Sequence, residues 1–488
     1  MRETIDIGIE LGDTGSAIAV AEDGGARVLR NSEGRDRTPS AVSMPRPGSV
    51  LVGSVARQRL KAAPEDAYTG FVLKLGTAGD AYRFHRADVT RTAEQLAAEV
   101  LKSLCRDAAH ERGEPPAAAV ISVPASFTPE QHDATRRAAA LAGLGETCPL
   151  LPEPVAVALA YGADGTAPRS GHRIVFSLGG SGFTAALVAE AGGEPRLLGH
   201  VAAPHLGGRN IDHAIVDELL MPAVVRDLAL PDSALAKGRS RRNLAVLTWA
   251  AEEARIELSR AGETELFVDL KVDGREEMFS YTLTRGALDD LALPFYAQAV
   301  KLCRHLLAEH SLRPEDIDRL LLAGGATLAP GVREVLADPR EGLGIRVDHS
   351  QDPTTVVVRG AALRAGTVPL PAASPAPARD EIAGLLRETR AALGRCTSLL
   401  DQAGTGAPGR LRTAVALLRE TVGRLDDGLR RGGAAGWHTS PRSRTRALAL
   451  LRRLRDRLGE LHGALTGDAG GKSRRPAPLG TGPGPALP

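Results

Sequence analysis

Ile7-Gly-Ile-Glu-Leu-Gly-Asp-Thr-Gly-Ser-Ala-Ile-Ala-Val20 reads as a strand, a glycine-rich turn and a second strand. Ile174-Val-Phe-Ser-Leu-Gly-Gly-Ser-Gly-Phe-Thr-Ala-Ala-Leu187 repeats that pattern in the second half of the chain. Each copy is followed by an acidic residue, a Gly-Gly pair (Gly24-Gly25 and Gly192-Gly193) and a further apolar strand ending at Leu29 or Leu198. The interval is far too long for a solenoid repeat. It predicts two homologous lobes, each opening with a β-hairpin. Small residues at such a turn expose backbone N–H groups and let a phosphate approach closely. Two hairpins facing each other would grip one polyphosphate from both sides.

Outward from the hairpins, helix and strand patterns alternate. Thr92–Arg112 has helical spacing at Leu96, Val100, Leu101 and Leu104, and Ala118–Val123 is a short buried strand. Pro129–Leu144 is helical, and Pro154–Tyr161 begins another helix with proline in its first turn. In the second lobe, Leu244–Leu258 and Asp289–His310 are helices, and Leu266–Val272 with Glu277–Leu283 form a hairpin around Asp273-Gly274. Arg319–Thr327 is a strand running into a glycine-rich turn, and Val356–Gly366 is a last helix. Such alternation calls for an α/β fold.

Composition sets the outer bounds. With 488 residues, 43% hydrophobic and 25% charged, the chain is long enough for two or three domains with a sizeable core. Aromatic residues make up only 3%, which argues against base stacking as a main activity and makes nucleic acid a poor candidate partner. The four cysteines, Cys105, Cys148, Cys303 and Cys396, form no CxxC pair, so neither a zinc site nor a disulfide framework is indicated. The expectation is buried thiols in a reducing cytoplasm. The N-terminus runs directly into strand pattern, and no apolar run reaches 18 residues, so neither a signal peptide nor a transmembrane segment is expected.

At Val368 the character changes. Residues 368–379 form a Pro/Ala linker, and 380–467 carry three helical stretches, Asp380–Gln402, Gly409–Arg430 and Arg442–Leu465. Their short breaks predict an antiparallel helical bundle. Residues 468–488 are rich in Gly and Pro and are expected to be disordered. From Val368 to Pro488 there are 20 Lys and Arg against 10 Asp and Glu, while the whole chain carries +2, so the first 367 residues carry −8. A mildly acidic body with a basic tail suggests an acidic protein partner, a contact of the tail with that body, or simply a solvated arginine-rich surface.

The motifs of residues 1–367 resemble, in order and interval, the nucleotide-binding domain of the heat-shock protein 70 family. Ile9–Ser16 stands at its first phosphate loop, Asn31–Ser40 matches the next family stretch, and Phe71-Val-Leu-Lys74 matches the segment bearing its catalytic lysine. Val120–Phe127 carries the proline used as an interlobe switch, here Pro124, and Pro152–Gly162 places the family's glutamate at Glu153. Ser177–Thr184 is similar to the second phosphate loop and His205-Leu-Gly-Gly208 to the loop after it. Ala251–Ser259 is similar to the adenosine-binding helix, with Glu252, Arg255 and Ser259 at contact positions, and Ala323–Thr327 to the adenosine loop.

The resemblance implies a two-lobed actin-like ATPase fold of the ribonuclease H-like type, with lobe I at about 1–170 and 346–367 and lobe II at about 171–345. It implies an ATP or ADP site formed by Gly12, Asp13, Thr14, Gly15, Gly179, Gly180, Ser181, Gly182, Gly207, Gly208, Glu252, Arg255, Ser259, Gly324, Gly325, Ala326 and Thr327. Lys74, Glu153 and Glu10 would carry hydrolysis, with Arg255 stacking on the base.

Several positions depart from the family. It has aspartates at Glu10, Ser177, Thr184 and Thr354, a threonine at Gly182 and an arginine at Leu328. Three carboxylates near Mg²⁺ and monovalent ions thus fall to Glu10 alone, holding metal weakly through water, with Asp13, Thr14 and Ser181 able to compensate in part. The family also follows this domain with a peptide-holding β-sandwich, whereas no run of short strands follows Gly366. The expected function is that of a nucleotide-dependent, chaperone-related regulator with weak or lost hydrolysis and weakened Mg²⁺ dependence. The helical tail would bind a protein partner. The alternatives are a slow active ATPase and a scaffold that binds no nucleotide.

Overall fold

A computed structural model describes residues 4–370 apart from 23, 78, 80, 146–147, 164–169, 193, 229–240, 273 and 339, together with 379–402, 409–430, 450–459 and 461–462. The chain divides into two compact units, Met1–Leu370 and Pro371–Pro488.

The first unit contains two sheets built to one plan. In lobe I the strand order is Leu150–Pro152, Val120–Val123, Ile7–Glu10, Gly15–Glu22, Gly25–Leu29. The last three are an antiparallel meander, and the first two run parallel to Ile7–Glu10. In lobe II, Glu194–Ala203, Phe183–Ala191 and Ser170–Leu178 form the meander, and Arg319–Ala323 and Val347–Asp348 add the two parallel strands. The repeat read from the two hairpins is therefore a repeat of the whole five-strand plan. In each hairpin alternate residues point into a separate layer, and because both faces are covered the strands are buried nearly throughout.

Each sheet has one outer face covered by helices of its own lobe. Ala93–Arg112 and Pro129–Ala142 pack on lobe I through Leu96, Val100, Leu101, Leu104, Ala134 and Ala138. Both begin with a reciprocal capping box, Thr92 with Gln95 and Thr128 with Gln131, a motif that contributes about 1 kcal/mol per helix. Arg285–Glu309 covers lobe II through Leu288, Tyr296, Val300 and Leu307.

The inner faces are covered by two crossing helices. Glu153–Gly162 follows the last strand of lobe I yet buries Val155, Val157 and Tyr161 with Val175, Val188 and Leu321 of the lobe II sheet. Val356–Ala365 follows the last strand of lobe II yet places Val358 and Ala362 against Ala17 and Ala19 of lobe I. Where they cross, a β-carbon on Gly360 would overlap the carbonyl of Ala156. The phenol of Tyr161 donates to the carbonyl of Leu322 at 3.0 Å, fixing this helix to the lobe II sheet.

The expected elements occur, with ends moved by a few residues: helix Arg241–Glu257 and hairpin Glu263–Val272 with Arg275–Thr284 are examples. A small subdomain between residues 38 and 91 has short strands and helix Ser54–Ala62, which the sequence patterns did not announce. Ile5 donates its N–H to Val368, and Thr4 pairs with Pro369, so the first unit keeps the chain as far as Leu370.

In the second unit, Arg379–Gln402, Gly409–Arg430 and the helical residues 450–459 and 461–462 share one core of Leu386, Leu393, Cys396, Leu400, Val415, Leu418, Val422, Leu451, Leu454 and Leu458. The described parts of the three expected helical stretches thus meet in one helical module. Among its described residues no strand occurs. Arg442, Arg444, Arg446 and Leu448, and the tail 468–488, lie outside the described residues.

Candidate functional site

The cleft between the lobes is lined by the two hairpin turns. In the first, the Gly12 carbonyl accepts from the Ser40 hydroxyl at 2.5 Å, and Ser40 in turn shares a hydrogen bond with Ser16 at 2.8 Å. Gly15 pairs with Pro39, so segment 38–40 clamps the turn from outside. In the second, Gly179 donates to the Gly182 carbonyl at 3.0 Å, which closes the turn around Ser181. Gly208 and Arg209 then donate to the carbonyls of Gly179 and Gly180 at 2.9 and 2.8 Å, stitching the His205–Gly208 loop onto it. Gly207 is wedged against Gly180, Ser181 and Gly182, and a side chain there would displace the turn. Gly324, at φ 86°, passes against the Leu178 carbonyl in a conformation that L side chains rarely adopt. The following Thr327 is buried beside Ala326, and its hydroxyl donates to the Gly324 carbonyl at 2.7 Å.

The turns touch each other across the cleft. The position of a β-carbon on Gly180 lies 2.6 Å from Cγ2 of Thr14. Asp13 is buried in the same place and pairs with Arg209 of lobe II at 3.5 Å. Burial raises the Asp13 carboxyl above its ordinary range, and the charge of Arg209 only partly offsets this. A further link lies nearer the cleft mouth. Arg57 of helix Ser54–Ala62 forms an ion pair with Glu252 and stands 4.4 Å above the Trp249 ring, and Lys61 stands 4.0 Å from the same ring. Glu252 is thus at the interlobe face, as an adenosine contact requires, but engaged with Arg57.

At the base of the cleft, Glu10 ends strand Ile7–Glu10 and lies in register with Ser122, just before Pro124. Both of its carboxylate oxygens are held by Arg37, Oε1 by Nη2 at 2.7 Å and Oε2 by Nη1 at 2.8 Å. The same two nitrogens donate to the carbonyls of Gly15 and Thr354, each at 2.6 Å. Arg37 therefore spans the first turn, the last helix's entry and the acidic residue between them. Burial lowers its pKa, but the Glu10 carboxylate more than offsets that, so the net shift is upward. Glu153 begins the crossing helix nearby, and desolvation, with the charge of Glu10, pushes its carboxyl up to about 8. Lys74 lies exposed at the end of the turn Val72–Lys74, next to Leu73, whose N–H points to Asp13.

Arg255 is placed differently from the expected base-stacking role. Its guanidinium grips Asp212 at 2.6 and 3.2 Å and packs beneath Gly208, with only 11% of the side chain exposed. A guanidinium so held supports the loop from below, with one face against Gly208. The exposed residues of this helix are Leu244, Glu253, Ile256 and Glu257; Ser259 lies half-buried just past its end, and its hydroxyl donates back to the Ile256 carbonyl at 2.7 Å. The helix period explains the difference: Arg255 lies one residue, about 100°, away from the outward face.

These residues do not fit a divalent cation. Ser177 and Thr184 pair across the second hairpin, at the positions of two aspartates in the family the sequence resembles, Thr354 uses its carbonyl on Arg37, and Glu10 has both oxygens committed. Among the described residues no group of three or more His, Cys, Asp or Glu is placed to hold a metal. Hard cations require several oxygen ligands, and this site offers them a guanidinium.

Two twinned sheets, crossing helices and facing glycine-rich turns define the two-lobed actin-type nucleotide-binding fold. The family model for Hsp70 protein matches residues 6–372, and the chain belongs to that family. It is 32% identical over 387 residues to the chaperone protein dnaK of Cyanidioschyzon merolae, covering 74% of this chain and 61% of that protein. It is likewise 32% identical over 385 residues to the chaperone protein dnaK3 of Synechococcus elongatus, covering 74% of this chain and 50% of that one. The chain thus spans half to three-fifths of the lengths of these relatives. Family membership implies adenine nucleotide as the ligand of the cleft. Among the described residues, no helix is long and apolar enough to cross a membrane.

Proposed function

We propose that this protein is a nucleotide-dependent regulator of the Hsp70 type, which binds ATP or ADP between its lobes and hydrolyses ATP weakly or not at all. The reading is carried by one observation: the phosphate-facing turns and their supporting loop are intact and abut across the cleft, whereas Glu10 is committed to Arg37. Backbone amides and glycines supply a large part of a phosphate grip, so binding survives. Phosphoryl transfer depends on metal electrostatics and alignment, so the rate falls by orders of magnitude. Nucleotide occupancy would set the angle between the lobes by favouring one of their arrangements.

The helical second unit is the proposed partner-binding element. Arg452 and Arg453 are exposed on its last helix away from the buried Leu451, Leu454 and Leu458, Arg455 is exposed at the edge of that stripe, and a basic surface of this kind suits an acidic protein surface. The four cysteines are free, which agrees with a reducing, cytoplasmic setting.

The deciding experiment is calorimetric titration with ADP and ATP followed by single-turnover hydrolysis. Binding with no measurable turnover supports the regulator. Turnover like that of an ordinary chaperone ATPase overturns it in favour of an active enzyme, and absence of heat with any adenine nucleotide leaves a scaffold.

A further inference from the structure

At the base of the cleft Arg37 donates to four oxygens of three residues at once. Its two terminal nitrogens take both oxygens of Glu10, the Gly15 carbonyl of the first phosphate turn and the Thr354 carbonyl at the start of the last helix, all within 2.6–2.8 Å. It is held from both ends of the first unit's sequence, and 30% of its side chain remains exposed. Oxygen ligands gathered around one positive centre, between a carboxylate and a phosphate-binding turn, describe the surroundings of a divalent cation. Here the centre is a guanidinium. Unlike an ion it is covalently supplied, does not dissociate and needs no dehydration on binding; its planar fork also matches the carboxylate bidentately.

We propose that Arg37 takes the place of the divalent cation in this cleft, so that the protein binds adenine nucleotide free of metal. The inference rests on the nucleotide reading above. Its electrostatic content is simple. The Glu10–Arg37 pair is neutral, so the base of the cleft offers Mg²⁺ no uncompensated carboxylate there. An incoming polyphosphate meets, beside the Gly12–Gly15 turn, a pair without net charge in place of a bare carboxylate that would repel it, with the Lys74 ammonium on the adjoining segment. A nucleotide that arrives with Mg²⁺ finds both Glu10 oxygens already committed, so the ion gains nothing from them. Free ADP or ATP is then bound at least as well as its magnesium complex.

The experiment titrates the full chain with ADP and with ATP, once in excess EDTA and once in excess Mg²⁺, for the wild type, Arg37→Gln and the double variant Glu10→Gln/Arg37→Gln. The wild type is expected to bind in EDTA as tightly as in Mg²⁺ or more so. Arg37→Gln uncovers Glu10 and should lose about tenfold or more in EDTA, the size of one charge-assisted contact, with Mg²⁺ restoring much of it. The double variant removes both charges and with them the strain of an unpaired buried carboxylate. It should keep the fold by thermal melting, bind weakly in EDTA and gain nothing from Mg²⁺. Wild-type binding that requires Mg²⁺ overturns the proposal while leaving the nucleotide reading in place. EDTA affinities unchanged in both variants overturn it equally. Absence of binding by the wild type under all four conditions overturns the nucleotide reading and this proposal with it.

Discussion

Gly360 rests on the carbonyl of Ala156 at the point where the two inner helices cross, and no β-carbon fits between them. The contact joins a helix seated on the lobe II sheet to one seated on the lobe I sheet, so the spacing of the lobes is set there.

Gly360→Ala should therefore be costly. Backbone has to shift to admit the methyl, and overpacking of this kind destabilises by about 1–3 kcal/mol. Thermal melting is the readout, with Gly262→Ala as a control, since no atom lies within 4 Å of the β-carbon position there. A melting temperature unchanged in Gly360→Ala would mean that the helices can slide apart freely.

The Arg57–Glu252 pair and the Trp249 ring must separate when the cleft opens. The pair is 28% exposed on each side, so solvent discounts its strength to about 0.2–1 kcal/mol, and the ring adds about 0.5–1 kcal/mol. Arg57→Ala should accordingly speed release of a fluorescent ADP analogue by about three- to thirtyfold. Trp249→Ala should speed release by a further, smaller step once Arg57 is gone, since Lys61 also stands over the ring. Unaltered release in both variants would show that the latch is not strained by opening.

Restoring the family's acidic set should fail by itself. Glu10→Asp, Ser177→Asp, Gly182→Thr and Thr184→Asp supply the missing groups, but Arg37 still occupies their centre. Single-turnover hydrolysis should rise only when Arg37→Ala is added, and Lys74→Ala should then abolish the gain. A rise with the four changes alone would show that Arg37 is no obstacle.

Glu153 makes stability depend on pH in a definite direction. Its folded-state value of about 8 is above the ordinary 4.5, so between those values the folded state keeps a proton that the unfolded chain has lost. Stability contributed by this group is complete below the unfolded value, declines as pH rises and is lost once pH passes about 8. Glu153→Gln should flatten the decline and raise the melting temperature at pH 8 by about 2 °C or more. Parallel melting curves for the two proteins from pH 5 to pH 9 would contradict the assignment.

If the basic helices dock on the acidic first unit, residues 1–367 and 380–467 produced separately should associate at low salt. The screening length shrinks to about 8 Å at physiological ionic strength, so the association should weaken steadily as salt is added. No association at low salt assigns the basic face to another acidic protein or to solvent.

Much of this was legible in the sequence because hairpin and helix periodicities are local. The Ile7–Val20 and Ile174–Leu187 repeats announce two equivalent lobes, and the helical spacing across residues 380–467 announces the helical module. The charge pairing was not legible. Arg37 lies in a quoted motif, yet nothing in residues 31–40 says that segment 38–40 folds over Gly12 and Gly15 and so delivers the guanidinium to Glu10. Arg255 was misplaced for a related reason: its partner, Asp212, is far away in sequence and adjacent only once the loop around Gly208 is built. Pairings between residues 27 or 43 positions apart depend on tertiary closure.

The exchange of inner helices also governs how the chain can fold on the ribosome. Strands Ile7–Glu10 and Gly15–Glu22 are made long before the helix that covers their inner face, Val356–Ala365. Gly8, Ala17 and Ala19, which receive that helix, stay bare through some 300 residues of synthesis. Contacts of such long range make for slow folding and a long-lived sticky intermediate. The small side chains on that face limit the apolar area exposed during the wait.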